Sequence, residues 1–108
     1  MRRIGTCGRA SLACGWIAIG LIQAGQAQAI DLARGQRLYN MHCAVCHGIN
    51  GVPVIPQAPS FVAKERLMQP DAVLIQSVKA GKTVMPPFIG ILRDDEILDV
   101  LHYARMLR

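Results

Sequence analysis

Apolar residues recur at helical spacing in three segments of the chain, and no segment alternates apolar and polar positions as a β-strand does. The first segment runs from about Leu32 to His42, and the second from about Pro70 to Lys79 or Ala80. The third begins near Asp94 and continues towards the C-terminus. The pattern therefore predicts an all-α domain with three main helices.

The first predicted helix has a polar start and an apolar face. Asp31 suits the N-cap, because its carboxylate can accept a hydrogen bond from a backbone N–H of the first turn. Steps of three and one bring four residues to one face: Leu32, Gly35, Leu38 and Tyr39. This face is expected to pack against the rest of the domain.

The second predicted helix is bounded by residues with special backbone preferences. Pro70 suits the first helical position, where a missing N–H costs no hydrogen bond, and Gly81 suits a left-handed stop. The residues expected to point inward are aliphatic: Val73, Leu74 and Val78.

The third predicted helix has an acidic start and one apolar stripe. The stripe consists of Ile97, Leu101, Ala104 and Leu107. The acidic residues 94–96 lie near the positive N-terminus of the helix, where negative charge is favourable. Because Arg93 is not a usual cap, Asp94 is expected to cap the helix instead.

Two proline-containing loops join these helices. GINGVPVIPQAPSF, residues 48–61, follows the first helix, and GKTVMPPFIG, residues 81–90, follows the second. Their prolines and glycines disfavour regular structure. Two long loops in so small a domain are expected to wrap around something.

Residues 1–29 are expected to form a secretory signal. Three arginines lie within the first nine residues, an uncharged apolar stretch follows, and Ala27-Gln28-Ala29 gives a small-residue cleavage pattern. An uncleaved anchor is the alternative, although the glutamines near the end of the stretch suit hydrocarbon poorly. The predicted domain is residues 30–108, located in a bacterial periplasm without stable membrane insertion after cleavage.

Removal of the signal changes the charge and the size of the chain. Three of the twelve basic residues leave and none of the seven acidic ones, so the net charge falls from +5 to +2. With no basic cluster among aromatic residues, a nucleic-acid partner is not expected. The remaining 79 of 108 residues are few for a self-sufficient core, and a bulky planar cofactor would enlarge it.

Cys43 and Cys46 are the cysteines that remain, in the motif MHCAVCHG of residues 41–48. A zinc site needs about four ligands and a redox dithiol needs a βαβ context, and the mature chain supplies neither. Cys-x-x-Cys-His is instead the attachment signature of c-type haem. In a turn or helix both sulfurs can reach one porphyrin edge, and His47 can reach the iron. The motif predicts one covalently bound haem c.

Met85 is the expected second ligand of the haem iron. The other candidates are Met41, His42, Met68, His102 and Met106. Met41 and His42 lie too close to the attachment motif to reach the opposite haem face, and the remaining three suit core, loop or surface roles. Met85 directly precedes Pro86 and Pro87, which favour extended backbone and stiffen the loop.

The ordered motifs resemble those of the monohaem class I cytochromes c. Similar segments follow one another through almost all of residues 30–108: GQRLYNMHCAVCHG, APSF, VKAGKTVMPPF and LRDDEILDVLHYARML. The resemblance implies the class I cytochrome c fold, with three main helices and two long loops around one covalently bound haem. It also implies that the first and last helices cross at Gly35, with Tyr39 and Tyr103 at the contact.

The resemblance further implies roles for individual residues. Cys43 and Cys46 would form the thioethers, His47 would be the proximal iron ligand and Met85 the distal one. Pro59, twelve residues after His47, would accept a hydrogen bond from the other nitrogen of the proximal imidazole.

With both axial positions filled, the iron has no open position for a substrate, so one-electron transfer is expected rather than enzyme catalysis. The expected partners are redox proteins that form weak complexes with a monomer at the exposed haem edge, near Val45, Val52 and Ile55. Lys79 and Lys82 either border this edge or are ordinary solvated charges.

Within the family, GVPVIPQAPSF and MPPFIGIL are similar to segments of the small cytochrome c encoded with dihaem nitrite reductase in denitrifying bacteria. This similarity implies electron delivery from an upstream donor to nitrite reductase or to the maturation of its second haem. The alternative function is a catalytic or ligand-sensing haem protein in which a small molecule displaces Met85.

Overall fold

The computed structural model describes residues 20, 25 and 27–108, so most of the predicted signal, residues 1–29, lies outside the described residues. The described part forms four helices: α1 (Leu32–His42), α2 (Ala44–His47), α3 (Asp71–Ala80) and α4 (Asp94–Met106). It contains no β-strand, and one isolated bridge joins Lys82 to Met85. None of its helices has the length and apolar character needed to cross a membrane. The predicted all-α class is confirmed, with α2 as an additional one-turn helix.

α1 begins and ends at the predicted residues. The Asp31 carboxylate accepts a hydrogen bond from the Arg34 N–H at 2.8 Å, as expected of an N-cap. Gly35 and Tyr39 are buried, but Leu32 is 40 % exposed, so its predicted place on the inner face is wrong. The start of α1 contacts α4 through charged side chains, because Arg34 pairs with both Asp95 and Asp99.

α1 and α4 cross at Gly35, as predicted. A β-carbon at this position would overlap the backbone carbonyl of Asp99 in α4, so the close approach of the helices depends on glycine. The rings of Tyr39 and Tyr103 pack at the same contact, with centroids 5.4 Å apart and planes tilted by 59°.

A buried ion pair also joins α1 to α4. Asp99 is 1 % exposed, and its carboxylate accepts hydrogen bonds from Arg34 Nε at 2.6 Å and from the Asp31 N–H at 3.0 Å. Arg34 also pairs with Asp95 at 2.9 Å. These partners compensate for burial of the carboxylate. Sequence reasoning missed the pair, because an acidic residue near the acidic start of a helix normally indicates an exposed position.

α3 differs from its prediction at both ends. Pro70 is the N-cap, with ψ 144°, and not the first helical residue. Gly81 has the predicted positive φ of 71°, but its ψ of 177° is extended and not left-handed helical. Ile75 packs against the core, whereas Val73 is 49 % exposed and was wrongly predicted to point inward. Residues 73–75 are all apolar, so the pattern left the centre of the inner face ambiguous.

α4 presents the predicted apolar stripe. Ile97, Leu101 and Ala104 are buried, and Leu107, just after the helix, packs against the cluster that contains Ala104. The stripe lies against both α1 and α3, which explains its strong periodicity in the sequence.

The start of α4 is capped differently from the prediction. Arg93 is the N-cap residue, and the Glu96 carboxylate accepts its backbone N–H at 2.9 Å. The predicted cap by Asp94 is wrong, because the Asp94 carboxylate accepts a hydrogen bond from Lys79 Nζ at 2.8 Å instead.

The buried apolar side chains of the described residues form two clusters. The first contains Leu74, Phe88, Leu92, Ile97 and Leu101. The second contains Tyr39, Leu67, Val100 and Ala104. Leu38 of α1 packs against both clusters and thereby joins them.

Residues 61–69 form consecutive turns that lead to α3. Lys64 and Arg66 have φ of 59° and 62°, a conformation that is unfavourable for residues with a β-carbon. Lys64 Nζ donates a hydrogen bond to the Arg105 carbonyl at the end of α4, at 2.8 Å. The segment is thereby held against α4, with Leu67 in the core.

Candidate functional site

The motif of residues 41–48 lies where α1 passes into α2. Cys43 is the single residue between the helices; its N–H donates to the Tyr39 carbonyl at 2.8 Å, and its carbonyl accepts the His47 N–H at 2.9 Å. The backbone is therefore almost continuously helical through the motif. Cys43, Cys46 and His47 lie within about one helical turn, as haem attachment requires.

A cavity of about 640 Å³ opens beside α2. Its volume falls within the range of cofactor sites, roughly 300–1,000 Å³. All five predicted site residues line it: Cys43, Cys46, His47, Pro59 and Met85. Both apolar clusters contribute to its wall, the first through Leu74, Phe88 and Leu101 and the second through Leu67. The residues present thus fit a large, flat and mainly apolar group.

The two cysteines are free thiols and are half-buried. Burial raises the pKa of Cys43 to about 12, and the neighbouring Cys46 adds to this effect. A redox dithiol or a zinc ligand reacts as a thiolate with a lowered pKa, so the surroundings of Cys43 suit neither. In the described part of the chain, no group of three or more His, Cys, Asp or Glu residues is arranged to hold a metal ion.

His47 is buried, with one ring nitrogen held by the first loop. Nδ1 lies 3.4 Å from the carbonyl oxygen of Pro59, the residue that the resemblance singled out. Burial lowers the pKa of His47, and the Pro59 hydrogen bond opposes this in part. A neutral imidazole that donates from Nδ1 keeps the electron pair of Nε2 for a metal.

Phe61 covers one face of the His47 ring. The ring centroids are 4.3 Å apart and the planes are within 10° of parallel. Sequence reasoning placed Phe61 only at the end of the first loop. The stacking depends on how that loop returns to α2, and no local motif signals it.

Met85 is half-buried in the wall of the cavity, on the loop after α3. Its carbonyl accepts the Lys82 N–H at 2.9 Å, and the Phe88 N–H donates to the Val78 carbonyl of α3 at 3.2 Å. A β-carbon on Gly81 would lie 2.7 Å from the Met85 carbonyl oxygen, so glycine lets the loop turn this tightly. These contacts fold the loop back onto α3 and bring Met85 to the cavity.

The other candidate ligands lie in less suitable places. Met41, Met68 and Met106 are 70 %, 85 % and 58 % exposed, and none of them lines the cavity. His102 faces Asp71, with Nε2 3.6 Å from the carboxylate. His42 does line the cavity, but its ring packs edge-on against Phe88. Because His42 directly precedes Cys43, it also lies too close to the attachment motif to reach the opposite face of a haem.

The surface predicted for docking is partly apolar. Val45 and Val52 are 73 % and 61 % exposed, whereas Ile55 is half-buried. Lys82 lines the cavity, whereas Lys79 does not line it and pairs with Asp94.

Comparison with known proteins places the chain among haem proteins. The profile described as cytochrome C oxidase, cbb3-type, subunit III matches residues 30–103. Cytochrome c6 of Thermosynechococcus vestitus is 40 % identical over 83 residues, which cover 72 % of this chain and 71 % of the relative. Cytochrome c6 of Synechococcus elongatus is 40 % identical over 79 residues, which cover 68 % of this chain and 87 % of the relative.

Two solved structures share the fold. The c-type cytochrome KustC0563 aligns with a TM-score of 0.61 at 28 % identity, covering 68 % of this chain and 96 % of that one. Cytochrome c6 from the diatom Phaeodactylum tricornutum aligns with a TM-score of 0.57 at 30 % identity, covering 68 % and 90 %.

Proposed function

This chain belongs to the monohaem class I c-type cytochromes, and from that premise we propose that it is a periplasmic electron carrier with His47 and Met85 as its axial haem ligands. Its cytochrome c6 relatives are electron carriers and not enzymes, and one covalently bound haem c is the cofactor. The observation that carries the proposal is the convergence of the Cys-x-x-Cys-His motif and Met85 on one cavity.

Each of these residues has a defined part in the proposal. Cys43 and Cys46 bind the haem covalently, and the Pro59 carbonyl holds His47 in the tautomer that leaves Nε2 for the iron. Met85 supplies a thioether from the second loop. The bound haem supplies a reversible one-electron couple. Because the thioether and the apolar walls favour the less charged ferrous state, the reduction potential should be moderately high.

The proposed carrier works after export and cleavage after Ala29, as residues 30–108. The small net charge of this domain gives little long-range steering, so its partners are redox proteins that form weak, short-lived complexes with the monomer. Val45, within the attachment motif, and Val52, four residues after it, are exposed and provide apolar contact. Nitrite reductase is one candidate acceptor, suggested by two loop segments alone.

Removal of Met85 tests the ligand set. The ferric protein should have the weak long-wavelength absorption band of methionine-to-iron charge transfer, and its ferrous form should bind carbon monoxide slowly. Met85→Ala should abolish the band and allow prompt binding. Met68→Ala is the matched control, because Met68 is 85 % exposed and outside the cavity. Prompt carbon monoxide binding by the unsubstituted protein would instead support the sensing or catalytic alternative.

Haem attachment is tested by acid extraction. Haem should stay with the polypeptide under denaturing acid conditions, and the double substitution Cys43→Ala, Cys46→Ala should release it. Release of haem from the unsubstituted protein would contradict thioether attachment.

The physiological partner can be sought by stopped-flow oxidation of the reduced protein with candidate periplasmic reductases, including nitrite reductase. A true acceptor should react rapidly, with a rate constant that depends only weakly on salt. The substitution Val45→Ser should slow the reaction more than Val73→Ser, because Val73 is exposed on α3 and does not line the cavity. Equal effects of the two substitutions would exclude the proposed docking surface.

A further inference from the structure

We infer that Phe61 is a positioning residue that fixes the plane of the His47 imidazole and shields its Nδ1 hydrogen bond from water. The inference rests on the proposed role of His47 as an axial ligand. It adds a second constraint on that ligand, supplied by a side chain that contacts the imidazole ring itself.

The tripeptide of residues 59–61 holds His47 in two ways. The carbonyl oxygen of Pro59 lies 3.4 Å from Nδ1 of His47, and the Phe61 ring stacks on the imidazole with the ring centroids 4.3 Å apart. The hydrogen bond limits the direction of the Nδ1–Nε2 axis, and the stacked ring limits rotation about it. Together they leave the imidazole little orientational freedom, whereas a hydrogen bond alone would permit rotation.

Hydrogen bonds also hold residues 59–61 to the chain segments before and after them. The Phe61 N–H donates to the Gly51 carbonyl at 2.9 Å, which joins it to the turn that follows α2. The Ser60 N–H donates to the Glu65 carboxylate at 2.7 Å, and the Glu65 N–H donates to the Ser60 carbonyl at 3.0 Å. The Gly51 N–H in turn donates to the carbonyl of Gly48 at 3.1 Å, so these hydrogen bonds join Phe61 to the turn that directly follows His47.

Tyr39 supports the Phe61 ring from α1. The two ring centroids are 6.2 Å apart with planes tilted by 53°, and Tyr39 is fully buried. Burial raises the pKa of Tyr39, so the phenol remains a donor, and it donates to the Gly48 carbonyl at 2.7 Å. Gly48 directly follows His47, so the same tyrosine supports both the stacked ring and the backbone of the ligand.

This arrangement has a consequence for the metal centre. The orientation of an axial imidazole and the strength of its Nδ1 hydrogen bond tune the iron to which it binds. Phe61→Leu keeps an apolar side chain but removes the planar face. The imidazole should then sample several orientations, and water should reach Nδ1–H more often.

The test uses the haem-loaded protein and two readouts. In the ferrous state, NMR should show solvent exchange of the His47 Nδ1 proton about five- to tenfold faster in Phe61→Leu, the size expected for loss of one aromatic pair. In the ferric state, the low-spin electron paramagnetic resonance signal should broaden. Phe61→Tyr retains the planar ring and should restore both readouts to nearly their original values.

Phe88→Leu is the matched control. Phe88 lines the same cavity and is buried, but it packs edge-on against His42 and does not stack on His47. Its substitution removes similar volume and should leave exchange of the Nδ1 proton unchanged. Wild-type exchange in Phe61→Leu, or equally fast exchange in Phe88→Leu, would overturn the inference. Failure of the axial-ligand proposal is distinguishable, because the His47 ring protons would then lack the strong upfield shift caused by a haem ring current.

Discussion

Positive charge next to the cavity comes from two side chains among the described residues that line it, Arg66 and Lys82. Arg66 is held there by a backbone with φ 62°, and its carbonyl accepts a hydrogen bond from Gln69 Nε2 at 2.9 Å. A cation near the haem disfavours the ferric state, which carries one more positive charge. At the scale of residues, the site therefore combines the proposed iron ligands with two charged side chains that should raise the reduction potential.

We predict that Arg66→Gln lowers the reduction potential by roughly 20–40 mV, the size expected for removing one charge that solvent partly screens at the edge of the cavity. Potentiometric titration at low ionic strength measures the shift, and added salt should diminish it. Arg37→Gln is the control, because Arg37 is exposed on α1 and does not line the cavity. A larger shift for Arg37→Gln than for Arg66→Gln would contradict this account.

Sequence spacing places residues together where their positions depend on local structure. Cys43, Cys46 and His47 follow one another through the junction of α1 and α2, and all three line the cavity. Phe61 and Arg66 escaped prediction, because their positions depend on loop closure and on unusual backbone angles. Neither the closure of a loop nor an unusual backbone angle changes the spacing of apolar residues in the sequence.

At the scale of elements, the contact between α1 and α4 organises the domain, and Gly35 allows the two helices to approach closely. We predict that Gly35→Ala lowers the free energy of unfolding by about 3 kcal/mol, because the added methyl group meets backbone that cannot rotate away. Urea unfolding followed by circular dichroism measures this loss. Gln36→Ala, on the exposed face of the same helix, should change the stability by less than about 0.5 kcal/mol.

A second contact between elements joins the start of α3 to the end of α4. Asp71 pairs with Arg105 at 2.7 Å, and the hydrogen bond from Arg105 holds the pKa of Asp71 below its ordinary value of 3.8. A lowered pKa in the folded state stabilises the protein above the unfolded pKa, and this contribution is lost as pH falls through the folded value.

Asp71→Asn should therefore be less stable than the unsubstituted protein at pH 7, and the difference should shrink below about pH 4. Urea unfolding at several pH values measures it. In an Arg105→Gln background, Asp71→Asn should have little further effect. A difference between Asp71→Asn and the unsubstituted protein that is independent of pH would show that the ionised carboxylate is not responsible.

Helix existence could be read from the sequence more reliably than helix ends. The three long periodic segments became α1, α3 and α4 at nearly the predicted bounds. The wrong predictions at Pro70, Gly81 and Asp94 all concern the ends of helices. There, several backbone conformations and several hydrogen-bond partners have similar energies. Tertiary neighbours, such as Lys79 for Asp94, decide between them.

At the scale of the whole molecule, the two apolar clusters and the cavity form one unit. Residues of both clusters line the cavity, so a group that fills it adds apolar contacts to side chains that the chain itself already buries. A domain of about 80 residues has a small core, so these added contacts are a large share of its stability. The size of the domain and the two long loops indicated in the sequence that a bound group completes the core, although not where the cavity lies.

Folding should therefore be coupled to haem. We predict that the Cys43→Ala, Cys46→Ala protein, freed of haem, has lost most of its helical circular dichroism at 25 °C and unfolds without a cooperative transition. Added haem should restore helical signal without a covalent bond, because His47 and Met85 remain. Replacing Met85 as well should weaken this recovery, whereas replacing the exposed Met68 should not. A cooperative thermal transition in the haem-free protein would mean that the two clusters suffice to hold α1 against α4.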